Sequence, residues 1–371
     1  MQLFKSKVTI HKFDHFAEFA KEFNLNENDL VITNDFLFNP FMKDLNLPCH
    51  FVMQEKYGLG EPSDEMMNNI LADVKKINYN RVIAVGGGTV IDISKLFVLK
   101  NITNVTDAFE RKIPIERNKE LIILPTTCGT GSEVTNISIA EIKSKHTKMG
   151  LADDQILADH AVLIPELIKG LPYKFFVFSS IDALIHATES YVSPKSNIYT
   201  EALGLWAIRT IMDVFIQLGE KGPDYRFERL EDMAMASNMA GIAFGNTGVG
   251  AVHALSYPMG GNYHVPHGES NFLFFTEVFR CYNEKNPNGK IKELNKIYAE
   301  ILKCKAEEVY IKIDEVLSKL TPKNKLSHYG MKEEDIVAFP KSVLETQQRL
   351  LANNYVSLSE DEIRAIYKTL Y

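Results

Sequence analysis

Short apolar segments alternate with amphipathic ones over the first 165 residues of this 371-residue chain. The apolar segments are rich in β-branched residues and bounded by turn formers; they cover 29–34, 50–54, 81–87 and 120–126. Between them, residues 62–77 place Met66, Ile70 and Val74 at helical spacing. This alternation predicts a mostly parallel sheet with helices on both faces, that is, an α/β fold.

Long helical patterns dominate the rest of the chain. They cover 180–192, 199–220, 230–244, 289–320 and 332–352. We therefore predict two domains, an α/β domain at 1–165 and an all-α domain at 166–371.

Composition narrows the choice of partners and compartment. The net charge of −7 argues against nucleic acid or an anionic membrane surface as the main partner. No run of eighteen apolar residues is present, so no membrane span is expected. The four cysteines show no CxxC spacing, which argues against a disulfide framework or a thiolate zinc site and favours a reducing cytoplasm.

Three consecutive glycines, Gly86, Gly87 and Gly88, follow the third predicted strand, and a helical pattern begins after them. Glycines allow close backbone approach, and a helix N-terminus offers free N–H groups, so the turn suits a pyrophosphate. The spacing is not GxGxxG, so the usual dinucleotide fingerprint is absent. A tight strand-to-helix turn without a ligand is an equally open interpretation.

A second glycine-containing turn, PTTCGTGSEVTN, follows the fourth predicted strand. Its hydroxyls, among them Thr126, Thr127 and Thr130, suit phosphate and ribose contacts, although Ser and Thr also cap helices. Two such turns on neighbouring strand ends favour a nucleotide at the carboxyl edge of the sheet.

Asp182 and His186 are four residues apart on a predicted helix and therefore share a face. A carboxylate and an imidazole at this spacing form half of a divalent metal site. The alternative is structural: Ser179 stands three residues before Asp182 in a helix-capping pattern, and a lone helical histidine is usually structural.

The segment HALSYPMGGNYHVPH carries three histidines. We predict that a helix over 230–257 ends at Gly260 and Gly261, and that the chain then turns back. Such a hairpin brings His253 and His267 together. With the carboxylate and imidazole upstream, the set would suit Fe²⁺ or Zn²⁺ with one coordination position open, a hypothesis from spacing alone.

Four stretches together resemble the iron-dependent (group III) alcohol dehydrogenase family: GGGTVIDISK, ILPTTCGTGSEVTN, DALIHATESYVS and GAVHALSYPMGGNYHVPHG. They stand in family order and the resemblance covers nearly the whole chain. It implies a dehydroquinate synthase-like fold with a nucleotide-binding α/β domain, a helical domain with a catalytic metal, and a homodimer. Three further stretches, EKYGLGEPSDEM, GLPYKFFVFSSIDALIHA and HALSYPMGGNYHVPHGE, are most similar to 4-hydroxybutyrate dehydrogenases.

The resemblance also implies roles for individual residues. The metal ligands would be Asp182, His186, His253 and His267, with Fe²⁺ as the expected ion and Zn²⁺ as the alternative. An aromatic residue, Phe244, would lie against substrate and nicotinamide. The residues implied to meet the cofactor are Gly86, Gly87, Gly88, Thr89, Asp92, Thr126, Thr127, Thr130, Lys148 and Leu167.

Three positions depart from the family pattern. Thr89 replaces a serine but keeps the hydroxyl. Asn34 stands where many members have an aspartate that binds the adenosine ribose; Asp35 is the expected substitute, so NAD is expected and NADP is the alternative. Tyr257 replaces a histidine that is often proposed as proton carrier. Three proton sources therefore stay open: His264, ranked first although it could be a structural loop residue, the Tyr257 hydroxyl, or a relay through the ribose.

The implied reaction is reversible reduction of an aldehyde to a primary alcohol by reduced nicotinamide, with the metal as Lewis acid. Succinic semialdehyde and 4-hydroxybutyrate are the expected pair, and other short aldehydes are the nearest alternative. Carbon–oxygen lyase chemistry, as in the related dehydroquinate synthases, and a non-catalytic binding protein are the competing interpretations.

Overall fold

The computed structural model describes residues 2–145 and 147–371. The chain forms two compact units. The first, which we call the α/β unit, is Ser6–Leu171. The second, the helical unit, is Pro172–Tyr371 together with the N-terminal residues up to Lys5.

Eight strands are found among the described residues of the α/β unit. They are β1 Thr9–Lys12, β2 Asp29–Thr33, β3 His50–Met53, β4 Arg81–Gly86, β5 Glu120–Pro125, β6 Ile137–Ile142, β7 Thr147–Ala152 and β8 His160–Leu163. Six form a parallel sheet in the order β1-β8-β5-β4-β2-β3, and β6 pairs with β7 in an antiparallel hairpin. The predicted parallel sheet is confirmed.

The helices of this unit are α1 Phe16–Glu22, α2 Asp35–Phe41, α3 Asp64–Val74, α4 Gly88–Leu96, α5 Val105–Phe109 and α6 Pro165–Ile168. Both faces of the sheet are buried. In β4, Val82 and Ala84 belong to one hydrophobic cluster, whereas Ile83 and Val85 belong to the other. Successive side chains of a strand point to opposite faces, so a continuous apolar run is what a doubly covered strand requires.

The helical unit contains α7 Tyr173–Val192, α8 Ile198–Lys221, α9 Leu230–Thr247, α10 Ala251–Tyr263, α11 His267–Lys285, α12 Lys290–Leu302, α13 Val309–Ser318, α14 Asp335–Thr346, α15 Gln348–Leu351 and α16 Glu360–Leu370. The predicted all-α second half is confirmed. By length and composition, α8 is the one helix in the described part of the chain that could cross a membrane. Its apolar face instead packs against α7 and α9 within the unit.

Two local predictions are wrong. Ser179 does not cap a helix, because α7 begins six residues earlier at Tyr173; its hydroxyl donates to the carbonyl oxygen of Phe176 at 3.1 Å. The helix predicted over 230–257 is two helices, since α9 ends where Gly248 adopts a φ of 76°. The glycines at 260 and 261 do not end α10, which continues to Tyr263.

Candidate active site

Four side chains of the helical unit converge on one point. Asp182, His186, His253 and His267 each offer a ligand atom, and these atoms lie within 4.8 Å of one another. The first three side chains are buried and His267 is partly exposed. The structure therefore brings together all four residues that the sequence analysis proposed as metal ligands.

Helix α7 supplies the first pair and a third polar group. Asp182, His186 and Glu189 are spaced i, i+4 and i+7, so one face of the helix carries all three. Each is buried in the helical unit. Burial of three ionisable groups on one face is costly unless they are paired or bind a cation, so this stripe indicates a polar centre.

The second pair comes from two successive helices. His264 ends α10 in the left-handed conformation, with φ 54°, and Pro266 caps the start of α11 at His267. The next residue, Gly268, has no side chain where α11 meets α7: a Cβ there would lie 2.4 Å from the carbonyl oxygen of Phe178. Glycine at this position therefore lets the first turn of α11 carry His267 up to α7.

The distances suit ligands arranged around one ion. Nε2 of His253 lies 3.0 Å from Nε2 of His186 and 3.5 Å from Oδ1 of Asp182. Nε2 of His267 lies 3.8 Å from Oδ2 of the same aspartate. Tetrahedral ligands at ordinary zinc–nitrogen distances would be roughly 3.3 Å apart.

Two residues that the sequence analysis missed hold this set. Glu189 accepts from the backbone N–H of Val252 at 2.8 Å, and its other oxygen lies 2.7 Å from Nδ1 of His253. Asn271 donates to Oδ1 of Asp182 at 2.7 Å. The i+7 spacing of Glu189 from Asp182 was a readable signal, whereas nothing in the sequence marked Asn271.

This packing shifts the pKa values of Asp182 and His253. Burial alone would raise the pKa of Asp182, but the neighbouring imidazoles of His186, His267 and His253 hold it well below its ordinary range. Burial would lower the pKa of His253, but the carboxylates of Glu189 and Asp182 raise it to about 9. The cluster thus holds an ionised carboxylate and favours positive charge beside it.

The three other residues predicted to act in catalysis differ in their distance from the four candidate ligands. The ring of Phe244 stacks on His186, with centroids 4.1 Å apart. The ring centroid of Tyr257 lies 6.3 Å from that of His267. The side chain of His264 is exposed at the end of α10.

In the α/β unit, the two glycine-containing turns lie side by side. Gly86 and Pro125 pair at the ends of β4 and β5, and the N–H of Thr126 donates to the carbonyl oxygen of Gly86 at 3.1 Å. A Cβ at position 86 would lie 2.6 Å from Cβ of Val90, so this turn excludes larger residues. The expected neighbouring turns at the carboxyl edge are therefore present.

These turns form a cradle suited to a polar ligand. A Cβ on Gly88 would lie 3.2 Å from Cγ2 of Thr130, so the missing side chain leaves room directly above the start of α4. The buried hydroxyl oxygen of Thr127 has no hydrogen-bond partner among residues 2–145 and 147–371. A buried hydroxyl ordinarily needs a partner, and a bound phosphate or ribose would supply one.

The remaining predicted cofactor residues have protein partners. Oδ1 of Asp92 accepts from the hydroxyl of Ser132 at 2.7 Å, and Oδ2 from the N–H of Ile139 at 2.9 Å. The hydroxyl of Thr89 donates to the carbonyl oxygen of Gly60 at 2.9 Å. Lys148 forms an ion pair with Glu61. The fourth residue, at position 167, is a leucine buried in the hydrophobic core.

A lysine that the sequence analysis did not single out joins these turns. Lys95 of α4 is fully buried and donates to the hydroxyl of Ser132 at 2.7 Å and the carbonyl oxygen of Ile137 at 2.6 Å. Burial lowers its pKa to about 8 despite the nearby Asp92 and Glu133 carboxylates. Lys95 therefore ties helix α4 to the turn after β5.

At the ends of β2 and β3, three polar residues meet. The side-chain amide of Asn34 donates to Oε2 of Glu55 at 2.8 Å, and the backbone N–H of Asp35 donates to Oε1 at 2.5 Å. Asn34 is buried, whereas Asp35 is exposed.

Both units of the chain match a known protein family. Residues 7–165 match the family described as iron-containing alcohol dehydrogenase, and residues 176–371 match its C-terminal region. The chain belongs to the iron-containing alcohol dehydrogenase family. Within that family, it is 58% identical over its full length to a 4-hydroxybutyrate dehydrogenase of Clostridium kluyveri, covering 100% of both chains. It is 33% identical to long-chain-alcohol dehydrogenase 1 of Geobacillus thermodenitrificans, over 84% of this chain and 80% of the relative.

Solved structures share the fold of this chain. A sulfoacetaldehyde reductase from Bifidobacterium kashiwanohense, in complex with NAD⁺, has a TM-score of 0.86 at 21% identity, covering 99% of this chain and 98% of its own. A 1,3-propanediol oxidoreductase has a TM-score of 0.86 at 22% identity and 100% coverage of both chains. Structures described as iron-containing alcohol dehydrogenases share this fold as well, which confirms the fold class expected from the sequence.

Proposed function

We propose that this protein interconverts 4-hydroxybutyrate and succinic semialdehyde, using a nicotinamide dinucleotide and a divalent metal. The observation that carries the proposal is the convergence of three imidazoles and one carboxylate on one point of the helical unit. The full-length similarity to a 4-hydroxybutyrate dehydrogenase supports the choice of substrate.

The donor set fits Fe²⁺, with Zn²⁺ as the alternative, because imidazole and carboxylate ligands suit both ions. Asp182, His186, His253 and His267 would hold the ion. When bound, such an ion polarises a carbonyl oxygen as a Lewis acid. Glu189 fixes the ring of the third ligand through Nδ1, which leaves Nε2 free to face the other ligands.

The α/β unit would hold the cofactor. The N-terminus of α4, preceded by Gly86 and Gly87, would bind the pyrophosphate with backbone N–H groups, and the orphaned hydroxyl of Thr127 would donate to it or to a ribose. A reduced nicotinamide supplies a hydride to the carbonyl carbon. We propose NAD as the cofactor, with NADP as the alternative.

The alkoxide formed by hydride transfer must gain a proton. Tyr257, His264 and a relay through the cofactor ribose are the candidates. The Tyr257 ring lies beside His267, whereas His264 is exposed at a helix end, which favours the tyrosine hydroxyl over the histidine. Phe244 stacks on His186 and would limit the freedom of that ring while covering it from water.

A panel of aldehydes tests the proposal. The purified protein is stripped with a chelator, reloaded with Fe²⁺ or Zn²⁺, and assayed with NADH and NADPH. We expect consumption of NADH that requires the metal and is fastest with succinic semialdehyde. Retention of metal and nucleotide without turnover of any aldehyde would contradict the proposal and favour a binding protein. Metal-dependent product formation without net NADH oxidation would favour the lyase alternative.

We further propose a cytoplasmic homodimer. The four cysteines are free thiols, as a reducing compartment requires. Light scattering on the eluate of a sizing column would measure the mass directly. A mass close to one chain of 42.0 kDa would rule out the dimer.

A further inference from the structure

We propose that Glu55 is the residue that selects NAD over NADP in this chain. The inference rests on the proposed use of a nicotinamide dinucleotide and deepens it by assigning the residue that recognises the adenosine ribose. The sequence predicts Asp35 in this role because it neighbours Asn34. The structure instead assigns the role to a glutamate that follows the next strand.

Sheet topology locates the adenosine half of the ligand. The glycine turn follows β4, and β2 and β3 are the next two strands on the side away from β5. Because the hydroxyl-rich turn after β5 would line the pyrophosphate and the nicotinamide side, the adenosine would extend over the ends of β2 and β3. An acidic side chain at this edge can accept both hydroxyls of a ribose and repel a 2′-phosphate.

Glu55 is fixed at this edge. Thr33 pairs with Met53 in the parallel register of β2 and β3, so the residues after both strands emerge together. The Glu55 carboxylate accepts one hydrogen bond on each oxygen, from the Asn34 amide and the Asp35 N–H. Each carboxylate oxygen has a second acceptor direction, so the group retains the capacity to bind a diol.

The carboxylate of Glu55 accounts for an asparagine, rather than an aspartate, at position 34. An aspartate at position 34 would place a second carboxylate within hydrogen-bond distance of Glu55, and like charges at that distance repel. An amide at the same position donates to Glu55 and holds it in place. Asn34 is buried while Glu55 is only partly buried, so the charge that a ligand meets is that of the glutamate.

Three variants test the proposal: Glu55→Gln, Asp35→Asn and, as a matched charge control, Glu27→Gln. Glu27 is exposed in the loop before β2, at the opposite end of the strand. We expect Glu55→Gln to raise the ratio of kcat/KM with NADPH to that with NADH at least about tenfold, because the charge that repels the 2′-phosphate is gone. The other two variants should change the ratio less than about threefold.

A binding measurement separates this inference from the proposed function. Titration of 5′-AMP and of 2′,5′-ADP into the same variants, followed by calorimetry, needs no turnover. Glu55→Gln should bind 2′,5′-ADP about tenfold more tightly than the wild type and 5′-AMP more weakly. A larger effect from Asp35→Asn, or no change of preference in Glu55→Gln, overturns the role of Glu55 and leaves a working dehydrogenase. Absence of any nicotinamide-dependent turnover in the wild type overturns the proposed function itself.

Discussion

The carboxylate of Glu189 lies 2.7 Å from Nδ1 of His253, while Nε2 of the same ring lies 3.0 Å from Nε2 of His186. One side of the imidazole is therefore bound to a buried acid and the other side faces the candidate ligands. A carboxylate in this position fixes the tautomer and the orientation of a ligating ring.

Replacement of this acid should weaken metal binding without abolishing it. We expect Glu189→Gln to lower the affinity for Fe²⁺ by about ten- to a hundredfold. Turnover should recover when Fe²⁺ is added in excess, because the four ligands remain. Metal titration and kcat at saturating Fe²⁺ measure the two effects. Glu220→Gln, an exposed change in the same unit, is the control; unchanged affinity in Glu189→Gln would argue for a structural role only.

Loss of a candidate ligand should have a larger effect. Asp182→Asn removes the charge that the three imidazoles face, and His267→Ala removes the ligand carried by α11. Both variants should lose bound metal after dialysis and should lower turnover more than about a hundredfold. Elemental analysis with a steady-state assay checks this, beside Asp224→Asn as an exposed control. A variant that is metal-free and fully active would refute the metal site.

The proton source can be decided with two substitutions. Tyr257→Phe removes only a hydroxyl, and His264→Asn removes the imidazole while keeping a residue that tolerates the left-handed conformation. We expect the tyrosine variant to lower kcat by about ten- to a hundredfold and the histidine variant by less than about threefold. This order reverses the ranking made from sequence. Comparison of the pH profiles of kcat would show which group titrates, and a greater loss in His264→Asn would restore the first ranking.

Because Lys95 is buried, we expect the free energy of unfolding to depend on pH. Its pKa in the folded chain is about 8, below its ordinary value of 10.5, so between these values the unfolded chain binds more protons. The free energy of unfolding should therefore rise with pH in this window, by roughly 1–2 kcal/mol from about pH 7.5 to about pH 9.5. Lys95→Met should remove this rise, and the exposed Lys43→Met should retain it. Urea unfolding at several pH values tests the difference; parallel curves for the wild type and Lys95→Met would contradict it.

Four of the six strands of the parallel sheet were predicted from the sequence, and β1 and β8 were missed. β2, β3, β4 and β5 begin where predicted, and in β2, β4 and β5 a continuous buried apolar run marks the strand. β1 was missed since its sequence, TIHK, has a single apolar residue, Ile10, which is 41% exposed. The break between α9 and α10 was also missed, because apolar spacing continues across it, although Gly248 and Gly250 both leave the helical conformation there.

The candidate ligands could be proposed from sequence because histidines and a carboxylate at particular spacings are chemically distinctive. Of the residues that hold them, Glu189 could have been proposed from its helical spacing to Asp182, whereas Asn271 could not. Asn271 is bound to Asp182 across two helices, and Glu55 meets Asn34 across two strands. Such contacts depend on tertiary packing, and an isolated asparagine or glutamate gives no pattern from which to infer them.

The four candidate ligands are far apart along the chain. The first two lie on α7 and the last two on α10 and α11, with α8 and α9 between them. The chain emerges from the ribosome with its N-terminus first, so α7 is exposed long before α11 has been synthesised. Metal loading would therefore be a late step of biogenesis, and the ion would enter only a helical unit whose last ligand-bearing helix has docked.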